Sequence, residues 1–156
     1  TTPGLRIFEK YAFKCGGGVN HRMGLYDAAM IKENHIAWTD NLNNAVKKIR
    51  LNSPFTTHII IEAENIEQAK EAVLAGADSV LLDELSPEII KKNVQELREL
   101  SINSLQKEVN KNLIIEVSGI NPQEISKYLI KGIDLISTSS SITKSNWIDL
   151  SMRYIN

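Results

Sequence analysis

The stretch from Gly16 to His35, GGGVNHRMGLYDAAMIKENH, concentrates residues able to do chemistry. It holds consecutive glycines, the adjacent pair His21–Arg22, and then Lys32. Glycine has no Cβ and accepts φ > 0, so the run lets backbone approach backbone or a ligand closely. A guanidinium pairs bidentately with a carboxylate, an imidazole adds a donor, and an ammonium adds a point charge. The set suits a small planar anion carrying more than one carboxylate. The same residues also suit a glycine-rich turn and a helix with solvated basic side chains, because short basic clusters are common on surfaces. Cys15 lies beside the glycines. Without a local base signature it reads as a buried or incidental thiol rather than a nucleophile.

The elements that must position these groups follow from periodicity. Leu5–Lys14 has a loose helical spacing that the glycines stop, and Asp27–Ile36 reads as either a short helix or a strand carrying Lys32 outward. Asn41–Leu51 is a predicted helix with Leu42, Ala45, Val46 and Ile49 on one face. After Ser53–Pro54 come a strand at Thr57–Glu62, a helix at Asn65–Ala75 closed by Gly76, and a strand at Asp78–Asp83. A helix at Ser86–Leu100 has proline in its first turn, where the missing N–H is not needed. A strand at Asn112–Val117, a helix at Pro122–Lys131 ended by Gly132, a strand at Ile133–Ser137 and a final helix near Trp147–Tyr154 complete the reading. Strands alternating with helices predict βα units and a parallel sheet, with no sequence repeat beyond that rhythm.

Parallel α/β proteins place their sites at the carboxyl ends of the strands. Those ends carry Glu62 (with Glu64 just beyond), Asp83, Ser118–Gly119 and Ser137–Thr138–Ser139. The acids suit Mg²⁺ or sugar hydroxyls. The Ser/Gly ends precede helices, whose N–H groups and dipole attract phosphate. Each has a plainer alternative: Glu64 or Asp83 as a helix cap, Ser118–Gly119 as an ordinary turn. Together they form the inventory of a phosphoribosyl-transferring enzyme.

Composition bounds the answer. The chain has 156 residues, 42% apolar and 24% charged, which fits one globular domain with a proper core. A net charge of −1 argues against a nucleic-acid or membrane-surface binder, and no apolar run approaches the length of a membrane span. One cysteine excludes an internal disulfide framework and fits a reducing compartment, with the cytoplasm as the expected location.

The segments TTPGLR, EKYA, GGG and NHRMGL, then IEAEN, VLLDE, EVSG and GIDLIS, arrive in the order found in quinolinate phosphoribosyltransferases, and the chain resembles that family over nearly its whole length. The resemblance implies an α/β protein of phosphoribosyltransferase type II, whose parallel βα units form an incomplete, open TIM-like barrel. It implies that residues 1–156 are a C-terminal catalytic domain, without the family's N-terminal domain and first barrel part, and that the full-length protein is a homodimer. The implied reaction joins quinolinate to phosphoribosyl pyrophosphate with loss of CO₂, giving nicotinate mononucleotide and pyrophosphate, with Mg²⁺ as cofactor. Thr1, His21, Arg22 and Lys32 match quinolinate contacts. Glu62 and Asp83 match the acids near ribose and metal. Ser118, Gly119 and Ile120, with Ser137, Thr138 and Ser139, match the 5′-phosphate loops.

The sequence departs from the family pattern in several places. The family's Arg-Lys pair falls directly before the position of Thr1, and a further arginine belongs to the partner subunit. The usual SGGI is SGI here, LDN is Leu82–Asp83–Glu84, and a loop glycine is replaced by Ser139. Two other readings follow from these departures: a non-catalytic remnant keeping an anion site, and a related nicotinate-type phosphoribosyltransferase. The unpaired surfaces of a lone domain also predict a sticky protein.

Overall fold

The computed structural model describes residues 1–39, 41–104, 112–146 and 148–155. Helix α1 spans Arg6–Cys15, and strand β1 (Ala28–Ile31) leads into the short helix α2 (Glu33–Ala37) and then α3 (Leu42–Asn52). There follow β2 (His58–Ala63), α4 (Ile66–Leu74), β3 (Ser79–Asp83), α5 (Pro87–Asn103) and β4 (Ile114–Ser118). A 3-10 turn at Pro122–Tyr128, β5 (Leu135–Ile136) and α6 (Ser140–Thr143) complete the described elements.

Local chemistry sets the boundaries. The side chains of Asn41, Asn65 and Ser86 accept from the amides of Asn44, Gln68 and Ile89, capping α3, α4 and α5. Pro87 opens α5 where its missing N–H costs nothing. Gly76 ends the α4 segment at φ +84, a left-handed conformation that other side chains resist.

All five strands are parallel, in the order β1-β2-β3-β4-β5. Right-handed crossovers between consecutive neighbours send every connecting helix to one face. Barrels use this order, whereas a doubly wound sheet reverses direction partway. Ile59, Ile61, Val80, Leu82, Ile115 and Val117 turn to the helical face and pack on Ala69, Val73, Ile90, Val94 and Leu97. The other face carries a small cluster of Ala28, Ile60 and Leu81, with Met30 against it. In register, Glu62 lies beside Leu81, Leu81 beside Glu116, and Asp83 beside Ser118, so these polar groups share the helix-free face.

Two arginines brace the amino-terminal side of the sheet in the same manner. Arg50 donates to the carbonyls of Thr57 and Gly76 and to Asp78, whose second oxygen accepts the amide of Ile59. Arg98 donates to the carbonyls of Leu113 and Gly132 and to Asp134, which accepts the amide of Ile115. Each aspartate stands 19 residues after the amide it accepts. Two β-helix-β units thus share one bracing scheme within the βα rhythm, carried by Gly-Ala-Asp and Gly-Ile-Asp.

Several expectations change. The Asp27–Ile36 segment is a strand followed by a helix, which adds a fifth strand and places Lys32 directly after it. The predicted helix at Pro122–Lys131 is a 3-10 turn ending at Tyr128, and β5 is reduced to Leu135–Ile136. No helix forms over residues 148–155, while Trp147 lies outside the described residues. Ile148, Met152 and Ile155 stand at helical spacing, but these residues, with Leu150 and Tyr154, are all exposed, so a helix here has no neighbour among the described residues against which to bury its face. Short helices need such burial to be stable.

Candidate functional site

A cleft of about 720 Å³ opens over the carboxyl ends of the strands and is roofed by α1 and the Val19–Leu25 segment. Lys32 follows β1, Glu62 lies near the end of β2, Asp83 closes β3, Ser118 closes β4, and Ser137–Ser139 follow β5. All of them line the cleft, together with Thr1, His21, Arg22 and Gly119. Of the sequence-predicted residues, Ile120 does not: its side chain is buried in the core, and its carbonyl accepts the Thr138 hydroxyl at 3.1 Å. Glu64 is exposed and its amide donates to Gln68, so neither it nor Asp83 caps a helix; Asn65 and Ser86 do. Cys15 is exposed and outside the cleft lining, which makes it incidental rather than buried.

The charged groups are already engaged. Lys32 Nζ stands 2.8 Å from Glu62 Oε2. The Ser118 hydroxyl donates to Asp83 Oδ1 at 2.5 Å. One Arg22 N–H donates to the Ala28 carbonyl at 2.9 Å, which fixes the guanidinium at the mouth of β1 and leaves its other N–H groups for a ligand. The Arg22 amide donates to His21 Nδ1 at 2.8 Å, so the ring carries its proton on Nε2, 3.5 Å from Glu116 Oε2.

Sequence reasoning missed three groups. Lys10 donates to the carbonyls of both His21 and Arg22, at 2.8 and 3.0 Å, while the Asn20 amide donates back to the Lys10 carbonyl. The glycine-rich segment is thus tied to α1 by a charge-assisted clasp. Burial, and then the neighbouring Arg6, lower the Lys10 ammonium below its usual range. Arg6 also faces the cleft and donates to the Thr1 hydroxyl. The available signal was the i, i+4 spacing of Arg6 and Lys10, which puts both on one helix face. The third group is Glu116, 3% exposed in the middle of β4. Its signal was an acid inside the apolar run NLIIEV. Burial pushes its carboxyl up, but the His21 imidazole and the Ser137 hydroxyl outweigh that and hold it below the ordinary value.

Two loops approach each other closely across the cleft floor. Gly119 has φ +74, and a Cβ there would fall 2.6 Å from Glu84 Cγ. Glu84 itself sits at φ 53, the left-handed region that glycine and asparagine tolerate best. The SGI loop therefore fits only because position 119 has no side chain.

Among the described residues no group of three or more His, Cys, Asp or Glu is placed to hold a metal ion. Glu62 and Asp83 nevertheless share one cleft, and Mg²⁺ commonly rests on one or two carboxylates plus substrate phosphates. Two carboxylates in one cleft are hard oxygen donors of the kind that Mg²⁺ takes.

Comparison with known proteins gives the same direction. A family model described as "Quinolinate phosphoribosyl transferase, C-terminal domain" matches residues 1–153. A Methanothermobacter thermautotrophicus protein named "Probable nicotinate-nucleotide pyrophosphorylase (carboxylating)" is 41% identical over 97% of the chain and 52% of its own length. A Dictyostelium discoideum nicotinate-nucleotide pyrophosphorylase (carboxylating) is 34% identical over 98% of the chain and 48% of its own length. The solved structure of NadC from Streptococcus pyogenes superposes with a TM-score of 0.81 at 36% identity, covering 99% of this chain and 50% of that one. The chain thus spans about half the length of these relatives. With its parallel sheet and the cleft at the strand ends, the chain belongs to the quinolinate phosphoribosyl transferase family, in its C-terminal domain.

Proposed function

We propose that this chain is the catalytic domain of a quinolinate phosphoribosyltransferase: it transfers phosphoribose from phosphoribosyl pyrophosphate to quinolinate and releases CO₂ and pyrophosphate. The observation that carries this reading is the convergence, in one cleft, of Arg22, Lys32 and His21 with Glu62, Asp83 and the Ser118 and Ser137–Ser139 loops. Arg22 and Lys32 receive the two carboxylates of quinolinate, which requires Lys32 to exchange Glu62 for the substrate. The exchange frees Glu62 to face the ribose. The backbone amides of the Ser118–Gly119 and Ser137–Ser139 loops receive the 5′-phosphate, and the Ser118 and Thr138 hydroxyls, which donate to Asp83 and the Ile120 carbonyl, hold the loops in place.

In the reaction the C1′–O bond to pyrophosphate breaks and C1′ acquires positive charge, which the fixed carboxylates of Glu62 and Asp83 stabilise. The pyridine nitrogen then bonds to C1′. The ring, now cationic, accepts the electron pair left on C2 as CO₂ departs, and C2 takes up a proton. Glu62 and Asp83 would hold Mg²⁺, which neutralises charge on the departing pyrophosphate when bound. The full-length protein is proposed to act as a homodimer in the cytoplasm. Among the described residues no helix is long and apolar enough to cross a membrane.

The test is titration calorimetry of the chain with quinolinate, using nicotinate as the control. Quinolinate should bind and nicotinate should bind at least tenfold more weakly, about 1.4 kcal/mol, because it lacks one carboxylate. Arg22→Ala should abolish quinolinate binding without lowering the melting temperature. Equal affinity for the two ligands would refute the assignment.

A further inference from the structure

We propose that Glu116 is a positioning residue for quinolinate recognition, acting through His21; this rests on the reading of the cleft given above. Two other aspartates of the sheet, Asp78 and Asp134, spend their oxygens on backbone amides and on arginine. Glu116 is directed instead at two cleft side chains, the His21 imidazole and the Ser137 hydroxyl. A carboxylate at the centre of a strand, 3% exposed, is costly unless it is paired and hydrogen-bonded.

The geometry forms a relay. Glu116 meets His21 Nε2, His21 Nδ1 accepts the Arg22 amide, and the Arg22 guanidinium is held at the Ala28 carbonyl. Both imidazole nitrogens are committed, so the ring has one tautomer and one orientation, and it fixes the backbone that aims Arg22. Lys10 grips the same two residues by their carbonyls from the opposite side. The carboxylate also sets a buried negative charge beneath a corner that must carry Arg22 and Lys32 before any anion arrives. The relay makes Glu116 a selector of how the dicarboxylate sits, without touching it.

The test is a double-mutant cycle read by quinolinate calorimetry, with ¹⁵N NMR of the histidine rings. Glu116→Gln keeps the shape of the side chain and removes the charge. It should weaken quinolinate binding about tenfold in the parent chain, the scale of one hydrogen bond to a charged group. In the His21→Ala background the same change should have no further effect, because the relay is already cut. Glu116→Asp, with a shorter reach, should restore part of the affinity. His21 should keep the Nε2–H tautomer in both proteins, because the Arg22 amide still donates to Nδ1, while its Nε2 resonance should shift once the carboxylate facing it is lost.

An equal loss in both backgrounds would overturn the proposal, since it would mean that Glu116 acts on the whole field and not through His21. Unaltered His21 signals in a folded Glu116→Gln protein would overturn it as well. If the parent chain binds no quinolinate, the reading of the cleft fails, and the NMR arm still decides whether Glu116 holds the imidazole.

Discussion

Replacing Arg50 with methionine should destabilise the protein far more than the same change at Arg98, although the two arginines make matching contacts. Both lose hydrogen bonds to two carbonyls. What differs is the carboxylate left behind. The Asp78 side chain is 2% accessible and the Asp134 side chain 43%. Stripped of Arg50, Asp78 keeps the Ile59 amide but loses the guanidinium that neutralises it, and breaking a buried pair from one side costs about 3–5 kcal/mol. Stripped of Arg98, Asp134 turns to water, and the loss should be about 1–2 kcal/mol. In urea, with a slope of about 2 kcal/mol per molar, the midpoint should fall by about 2 M for Arg50→Met and by less than about 1 M for Arg98→Met. The pair Arg50→Met/Asp78→Asn should be more stable than Arg50→Met alone, since the buried charge is then gone. Equal midpoint shifts for the two arginines would refute the argument, as would a double variant less stable than the single one.

Three further outcomes follow from the cleft. Lys10→Met keeps the length of the side chain but removes the clasp on His21 and Arg22, so quinolinate binding measured by calorimetry should weaken about tenfold or more, a loss of ~1.5–3 kcal/mol. Glu84→Asn should raise the melting temperature slightly, by relieving a left-handed backbone strain of about 1 kcal/mol, whereas Gly119→Ala should lower it because its Cβ would meet Glu84. The Glu116 carboxyl is held below the ordinary carboxylate range, so its contribution to stability is complete above that range and is lost as pH falls through the lowered value. Urea midpoints measured across acid pH should therefore decline less steeply for Glu116→Gln than for the parent chain.

Much of the architecture was legible because β-branched runs such as Ile59–Ile61 and capping residues such as Asn65 and Ser86 encode local structure directly. The groups at the strand ends were legible for the same reason: once a parallel strand is located, the place of its last residues is known. Glu116 and Lys10 were not, since their roles depend on what stands opposite them in space. A lysine on an amphipathic helix reads as solvated until the carbonyls of a distant turn come to meet it. The bracing arginines were hidden likewise. The 148–155 segment departs in the other direction: its apolar spacing suits a helix, but no neighbour among the described residues buries those side chains, and all of them stay exposed.

The arginine braces and the chemical groups occupy opposite ends of the same strands. Arg50 and Arg98 lock the end where the chain enters the sheet, while Lys32, Glu62, Asp83 and Ser118 stand where it leaves. This separates the positions open to adaptation from those that are not. Residues at the exit end can be exchanged to suit a different anion while the entry end continues to enforce strand register. A library aimed at new substrate preference should therefore vary only the segments following each strand, and survivors should keep both arginines and both aspartates unchanged.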